Sequence, residues 1–210
     1  MKATKRREFL KAGIAGSVGL FGASFVPGAN AAQAQSSLFE TFKTRRSVRK
    51  FKPIPVPDEH IHQILEAAHY APSPRNRQGW KFVVIKDRAI LDQIKEECIK
   101  LGGEKNRQYF TDYLSAPVYV VVLADTQTRN PVNDVTAGAL AAENLMLAAR
   151  ALGYGSVFCV NSISEDVTKK ILNIPDNFKR VCITPIGIPD KWPDTPPRKD
   201  LKEAIVHDKF

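Results

Sequence analysis

The chain has 210 residues, which is enough for one domain with a substantial hydrophobic core and leaves little room for two domains. Its 43% hydrophobic and 25% charged residues are ordinary for a globular protein. The net charge is +9, of which residues 1–34 contribute +4, so the remainder carries +5. This mild excess suits anionic ligands but not a polyanion-binding surface, and we predict no nucleic-acid partner.

Residues 1–34 are predicted to be a cleaved export signal and not part of the fold. Arg6-Arg7, followed by Glu8-Phe9-Leu10-Lys11, resembles the twin-arginine (Tat) signal, which directs folded proteins across a bacterial inner membrane. An ordinary secretory signal is the alternative. The sequence offers two cleavage sites, Ala29-Asn30-Ala31 and Ala32-Gln33-Ala34. We therefore expect a periplasmic location and the Tat translocase as a partner.

Two further expectations follow from this segment. Its apolar stretch is shorter than the ~20 residues that span a bilayer, so we expect no stable membrane insertion. The twin-arginine route suits proteins that take up a cofactor before crossing the membrane, which favours a bound prosthetic group.

Residues 36–210 are predicted to form a single domain in which helices and strands alternate. Helices are predicted at 37–45, 57–71, 87–101, 134–152 and 164–172, and strands at 80–86, 117–125, 156–161 and 180–188. Only a short polar segment is expected between the third helix and the second strand. This order predicts an α+β domain with α/β layers.

The helix from Asp134 to Leu152 is rich in alanine and nearly free of charge, which indicates a buried helix. An obligate dimer interface and a monomer core both explain that composition. The three cysteines, Cys98, Cys159 and Cys182, share no CxxC spacing, so neither a disulfide framework nor a zinc site is predicted.

Three polar stretches stand out: TRRSVRKF (44–51), APSPRNRQGWKF (71–82) and PPRKDL (196–201). The first, taken alone, is compatible with a solvated basic face, a nucleic-acid patch or a pocket for one anion. The other two are ordinary loop sequences when each is considered alone.

Together these stretches resemble the nitroreductase-like flavoprotein family. The family's opening R-R-S-x-R is matched by Arg45, Arg46, Ser47 and Arg49. Its A-P-S-x-x-N-x-Q-P-W is matched by residues 71–80 with Asn76, except that Gly79 replaces the proline. An alanine-rich helix ending in L-G-x-G and a closing P-R, which is Pro197-Arg198, complete the match from about residue 38 to 207. The resemblance implies a nitroreductase-like fold, in which helices flank a central mixed sheet, and a dimeric protein.

The resemblance also implies bound flavin mononucleotide (FMN). Arginine supplies permanently charged, bidentate donors for a phosphate, so Arg45, Ser47 and Arg198 are the candidates for the phosphate and ribityl chain, with Arg46 in support. In the family's pattern Arg49 reaches the pyrimidine edge of the ring, where a cation stabilises the reduced flavin. Asn76 is expected to offer a donor and an acceptor to the ring. The backbone after L-G-x-G, here Cys159 and Val160, is expected to lie beside it.

The activity implied is that of an FMN-dependent oxidoreductase that reduces nitroaromatics, quinones or similar acceptors. In the family's ping-pong mechanism a donor passes hydride to the flavin and leaves before a small-molecule acceptor takes the electrons. No catalytic side chain and no metal are predicted, and a homodimer is implied. The usual donor is NAD(P)H, but a periplasmic donor is an alternative. A flavin-binding electron carrier without turnover, or a flavin-linked dehalogenase or dehydrogenase, remain alternative functions.

Overall fold

The computed structural model describes residues 29–210, and side chains from Ser37 onward. The predicted signal motif at Arg6-Arg7 therefore lies outside the described residues. Both predicted cleavage sites fall within the first helix, Ala29–Thr44. Residues 37–210 form one compact unit.

Two α-helices precede each strand along the described chain, and this mixture of helices with a sheet confirms the predicted α+β fold class. The helices are α1 (Ala29–Thr44), α2 (Asp58–His69), α3 (Arg88–Gly102), α4 (Arg107–Tyr113), α5 (Pro131–Ala151) and α6 (Glu165–Ile171). The strands are β1 (Trp80–Ile85), β2 (Val118–Asp125) and β3 (Phe178–Ile186). Short 3₁₀ turns lie at Pro74–Asn76, Glu104–Asn106 and Leu201–Glu203.

The three strands form a sheet in the order β1-β2-β3, with both pairs antiparallel. The register joins Trp80 to Ala124 and Val118 to Ile186. Outside these strands, an isolated β-bridge joins Ser47 to Ser156 in the parallel direction. The central strand β2 is buried on both faces, which is why its sequence reads as a continuous apolar run.

Alternate residues of β2 enter two separate cores, as the period of two in a strand requires. Tyr119, Val121 and Leu123 pack with α3, α4 and α6 on one face. Val118, Val120, Val122 and Ala124 pack with α2 and α5 on the other. The sheet is therefore covered by helices on both faces.

Helix α5 confirms the predicted buried helix, although it begins three residues earlier, at Pro131. Proline suits the first helical turn because its missing N–H has no intrahelical partner there. Small residues let this helix approach the sheet closely. A Cβ on Gly138, for example, would lie 2.7 Å from Val181 Cγ2.

The predicted strand at 156–161 is wrong, because this segment makes only isolated bridges. Gly155 pairs with Gly187 and Cys159 pairs with Ile183 in one antiparallel register. Residue 157 would face Pro185 in that register, and proline has no N–H to donate. The ladder is therefore interrupted at Pro185, and no regular strand forms.

The chain between α3 and β2 is also more structured than expected, since it contains the Glu104–Asn106 turn and α4. Phe110 and Tyr113 of α4 are buried, three residues apart on one helical face. The spacing of these two aromatic residues is the sequence pattern that indicates α4, but a helix of seven residues is too short for the pattern to be clear. Within residues 29–210, no helix has the length and apolar character needed to cross a membrane.

Candidate functional site

The basic segment after α1 is anchored by two buried apolar residues, and charged residues lie between them. Val48 and Phe51 are buried, while Arg49 and Lys50 are exposed. The Val48 N–H donates to the carbonyl of Ser156 at 3.0 Å. The backbone of this segment therefore runs against residues 155–156 and presents its cations outward.

The segment 155–156 fits closely behind the predicted phosphate-binding residues. A Cβ on Gly155 would lie 2.7 Å from Val48 Cγ2 and 2.9 Å from Pro189 Cγ, so only glycine allows this approach. The hydroxyl of Ser156 is buried and has no hydrogen-bond partner among the described residues. Since Ser156 bridges to Ser47, an unsatisfied polar group lies in the same contact as a predicted cofactor residue.

The arginines of the segment have different surroundings. Arg46 bonds its own chain, donating to the carbonyls of Lys43 and Arg45 at 2.7 and 2.6 Å and to the hydroxyl of Thr195. Arg45 Nε lies 3.5 Å from Glu143 Oε1, a loose pair. Arg49 reaches only the Ser47 carbonyl, at 3.3 Å, and forms no ion pair within the described residues. Arg45 and Arg49 therefore remain available to an anion, whereas Arg46 stabilises the segment.

The C-terminal segment is tied to the same region. The Arg150 guanidinium donates to Thr44 Oγ1 at 3.1 Å and lies 4.3 Å from the centre of the Trp192 ring, a cation–π distance. The Arg46–Thr195 bond adds a second connection. Arg198 follows Thr195 by three residues, is exposed, and makes no ion pair within the described residues. The two ends of the domain therefore meet at these contacts. Arg198 itself makes no hydrogen bond or ion pair within the described residues, so its role at a phosphate stays a prediction.

The loop that carries Asn76 has an unusual backbone. Arg75, Asn76 and Gln78 have φ values of 53°, 56° and 53°, in the left-handed region that non-glycine residues rarely adopt. Such residues persist only where their surroundings hold them, and they cluster at functional sites. The Gln78 N–H donates to Ser73 Oγ at 2.9 Å, which fixes one side of the loop.

Arg77 fixes the other side of the loop, although it is not among the residues predicted for the site. Its Nη2 donates to Asp125 Oδ2 at 2.7 Å, and its Nε lies 3.6 Å from Asp134 Oδ1. Asp134 is buried and also accepts from Thr128 Oγ1 at 2.7 Å. The available signal was an arginine inside the loop motif with acidic residues at the end of β2 and the start of α5.

The structure does not bring Asn76 next to Arg45. The distance between the two motifs can be estimated along helix α5, because Arg77 contacts this helix at Asp134 and Arg45 contacts it at Glu143. These positions are nine residues apart, or about 13.5 Å along a helix axis. The two motifs therefore lie against different parts of α5 in one protomer.

The predicted flavin-flanking segment after α5 is partly buried. Cys159 is buried, and its carbonyl accepts from the Ile183 N–H at 2.9 Å. Val160 is exposed on its side chain, while its carbonyl accepts from Arg180 Nη2 at 2.6 Å. The roles of these residues toward a cofactor stay predictions.

One surface cavity of about 250 Å³ lies beside the Asn76 loop. Its lining residues come from the loop and from α5: Pro72, Ser73, Pro74, Asn133, Thr136, Ala137 and Leu140. A larger groove, of about 740 Å³, lies between α3 and α6, outside the predicted cofactor residues. No cluster of His, Cys, Asp and Glu suited to a metal ion is found in the described part of the chain.

The chain is similar to known proteins in both sequence and structure. The nitroreductase family model matches residues 42–188. The "Putative NADH dehydrogenase/NAD(P)H nitroreductase" of Methanothermobacter thermautotrophicus is 31% identical over 166 residues, which is 77% of this chain and 82% of that protein. The iodotyrosine deiodinase of Thermotoga neapolitana is 29% identical over 185 residues, which is 80% of this chain and 96% of that protein.

A solved structure gives the same result for the fold. The crystal structure of a "putative nitroreductase in complex with fmn" from Desulfovibrio desulfuricans has a TM-score of 0.69 and 26% identity, and the match covers 82% of this chain and 97% of that one. The expected nitroreductase-like fold is thereby confirmed. The chain belongs to the nitroreductase family.

Proposed function

We propose that this protein is an FMN-dependent oxidoreductase. The observation that carries the proposal is the convergence of both ends of the domain at the Arg46–Thr195 contact. Three guanidinium groups, of Arg45, Arg49 and Arg198, have at most one loose carboxylate partner among the described residues. Such groups suit a phosphate of charge near −2, because arginine donors match phosphate oxygens in a bidentate manner.

The residues present fit FMN on a structural ground. The buried hydroxyl of Ser156 lacks a partner among the residues that the structure describes, and a Cβ on the adjacent Gly155 would crowd Val48. Bound flavin supplies reversible two-electron chemistry, and the chain supplies binding, orientation and charge. Arg45, Ser47 and Arg198 would hold the phosphate and ribityl chain, Arg49 the pyrimidine edge, and Asn76 with the backbone of Cys159 and Val160 the ring.

A homodimer is part of the proposal. Helix α1 exposes Leu38, Phe39 and Phe42 to 52%, 52% and 49%, an apolar surface of the kind that marks protein interfaces. The motif of Arg45 and the loop of Asn76 contact α5 at positions nine residues apart, Glu143 and Asp134. This separation further supports a cofactor site shared between two copies.

The electron donor and the location are also proposals. NAD(P)H is the proposed donor because it is named for several relatives. A periplasmic donor and a periplasmic location rest on the Arg6-Arg7 motif.

A second function, reductive dehalogenation, is favoured by one observation. Three relatives among those compared are iodotyrosine deiodinases, and the bacterial one is covered by the match over 96% of its length. A halogenated phenol such as 3-iodotyrosine is therefore a second acceptor class beside nitroaromatics and quinones.

The test starts from purified mature protein loaded with FMN and reduced anaerobically with dithionite. It is mixed in a stopped-flow instrument with nitrofurazone, a benzoquinone or 3-iodotyrosine, and the return of the oxidised flavin absorbance is followed. We expect rapid reoxidation by the nitroaromatic or the quinone. Iodide release with 3-iodotyrosine would instead support the dehalogenase.

Two results would contradict the oxidoreductase proposal. Slow reoxidation by every acceptor would favour an electron carrier without turnover. If the folded protein does not bind FMN at micromolar concentration, the proposed cofactor is wrong and the proposed function is contradicted. The double variant Arg45→Ala/Arg198→Ala is the companion measurement, and its FMN affinity should fall at least tenfold because charge-assisted hydrogen bonds contribute about 1.5–3 kcal/mol each.

A further inference from the structure

Arg180 is an arginine buried in the domain core. It lies on β3 and is only 5% exposed. Its guanidinium makes four hydrogen bonds to one segment of chain: Nη2 donates to the carbonyls of Val160 and Ile163 at 2.6 and 2.7 Å, and Nη1 to the Ser164 carbonyl and Thr168 Oγ1 at 3.2 and 3.1 Å.

The strand geometry explains how this side chain reaches the segment. Leu123 of β2 pairs with Arg180 and Val122 pairs with Cys182, so Val181 is an extra residue in β3. A bulge of this kind turns a side chain out of its regular alternation. Arg180 is thereby directed toward residues 160–168, beyond the edge of the sheet.

The charge of Arg180 has no direct carboxylate partner among the described residues. Glu165 lies nearby, but its Oε1 accepts from the backbone N–H of Arg180 at 3.1 Å and its Oε2 from Lys179 Nζ at 2.9 Å. Burial lowers the pKa of the Arg180 guanidinium. Burying a cation without an ion pair is expensive, and an apolar side chain would suit a strand core better. Its four hydrogen bonds to one segment indicate that Arg180 serves to hold this segment in place.

The fixed segment is continuous with the predicted flavin-flanking backbone. Val160 is bonded to Arg180 through its carbonyl, and Cys159 is bonded to β3 through Ile183. Pro185 interrupts the ladder that would otherwise hold residues 155–161 as a regular strand. The guanidinium therefore replaces, for the end of this segment, the backbone hydrogen bonds that a strand would have supplied.

We propose that Arg180 is a positioning residue, which holds the turn at 160–164 so that the backbone of Cys159 and Val160 keeps a fixed orientation toward the flavin ring. The inference rests on the proposed function, because it assumes that FMN binds there. Arg180 touches neither cofactor nor substrate in this role. It acts through four acceptors that a planar five-donor fork can satisfy together and a single ammonium group cannot.

The experiment compares Arg180→Lys with the parent protein. The lysine keeps the positive charge but loses the fork, so the variant separates geometry from charge. We expect the FMN dissociation constant to rise about tenfold. The visible circular dichroism of bound FMN should change in amplitude, because that signal reports how the ring is seated. Hydrogen–deuterium exchange of the 160–164 amides should accelerate about tenfold in the protein without FMN.

The matched control is Arg88→Lys, since Arg88 also donates to a backbone carbonyl, that of Leu114 at 2.7 Å. It should leave the dichroism and the FMN affinity at parent values. If Arg180→Lys lowers the melting temperature but leaves the flavin dichroism and affinity unchanged, the role is merely structural and the proposal is overturned. If the lysine variant does not fold, Thr168→Val decides, because it removes one acceptor of the fork: an altered dichroism supports the proposal and an unaltered one overturns it.

The two proposals fail in distinguishable ways. A parent protein that binds no FMN overturns the proposed function and removes the flavin from the inference. A parent protein that binds FMN while Arg180→Lys behaves identically overturns only the role of Arg180.

Discussion

Gly155 shows how one residue without a side chain determines the geometry of the basic segment. Its backbone lies so close to Val48 and Pro189 that a methyl group would meet their side chains at 2.7 and 2.9 Å. The same backbone donates to the Gly187 carbonyl at 2.9 Å and leads directly into the Ser156–Ser47 bridge. Any displacement of Val48 would therefore be transmitted to its neighbours Ser47 and Arg49.

We predict that Gly155→Ala destabilises the protein by about 1–3 kcal/mol, the usual cost of overpacking, and also weakens FMN binding. Chemical denaturation and fluorescence titration measure the two effects. Gly153→Ala is the control, because Gly153 has a φ of 85° but no atom lies within 4 Å of the place that a Cβ would occupy. It should cost about 1–2 kcal/mol from backbone strain and leave FMN affinity unchanged. Equal loss of affinity in both variants would contradict the steric explanation.

Motif residues and supporting residues differ in how well the sequence predicts them. Arg45, Ser47 and Asn76 could be named as candidates because several motifs occur in a particular order along the chain, and their roles toward a cofactor stay predictions. Arg77 and Arg180 could not be named, because their significance depends on partners distant in sequence, Asp125 for one and the Val160 carbonyl for the other. A hydrogen bond between residues far apart in sequence leaves no local pattern.

Among the structural elements, the loop from Ser73 to Gly79 is held in a strained conformation by the chain around it. Three non-glycine residues in the left-handed region cost of order 1–3 kcal/mol each, so the surrounding contacts must compensate. Arg77 provides two of these contacts, one to the end of β2 and one to the start of α5. Gly79 contributes as well, since a side chain there would lie 3.1 Å from Asp134 Oδ1.

We predict that Arg77→Gln releases this loop without unfolding the domain. Partly exposed ion pairs contribute little, so the free energy of unfolding should fall by no more than about 1 kcal/mol. Hydrogen–deuterium exchange of residues 73–79 should accelerate, and the FMN dissociation constant should rise about five- to tenfold. Arg107→Gln is matched, because Arg107 also bonds two carboxylates, Glu96 and Glu104. It should leave exchange of the loop unchanged, and unchanged exchange in Arg77→Gln would refute the role of Arg77.

For the whole molecule, the two-sided core has a consequence for stability at high pH. Burial raises the pKa of the Cys182 thiol from 9.0 to about 12. Burial also raises the pKa of Tyr113 and of Tyr119 above the ordinary value of 10.0. Each group then keeps its proton in the folded state at a pH where the unfolded chain has released it. The stability from these groups is complete below the unfolded pKa and is lost as pH rises toward the folded one.

We therefore predict that the melting temperature, measured under reducing conditions, is level near neutral pH and falls progressively above pH 9.0, the ordinary thiol pKa. Cys182→Ala should start from a lower melting temperature because it leaves a cavity, but should decline less steeply with pH. Differential scanning calorimetry across the alkaline range measures both slopes. A melting temperature that stays constant to about pH 11 would contradict the prediction.

Features that depend on local patterns can be predicted from the amino-acid sequence. Apolar periodicity located β1, β2, β3 and the buried helix α5, because a strand buried on both faces and an alanine-rich helix each have a distinct composition. The order of the short motifs indicated the family and the candidate cofactor residues. These features are properties of neighbouring residues, and neighbours are visible in a sequence.

Only the tertiary structure shows which distant segments of the chain contact each other. Residues 156–161 have the composition of a strand, but their register places residue 157 opposite Pro185, and the missing N–H there prevents a ladder. The fold likewise places the α5 contacts of Arg45 and Arg77 nine residues apart and bonds Arg180 to the turn at 160–164. The physical reason is common to all three: each depends on which groups face each other across the fold, and that pairing arises only when distant parts of the chain pack together.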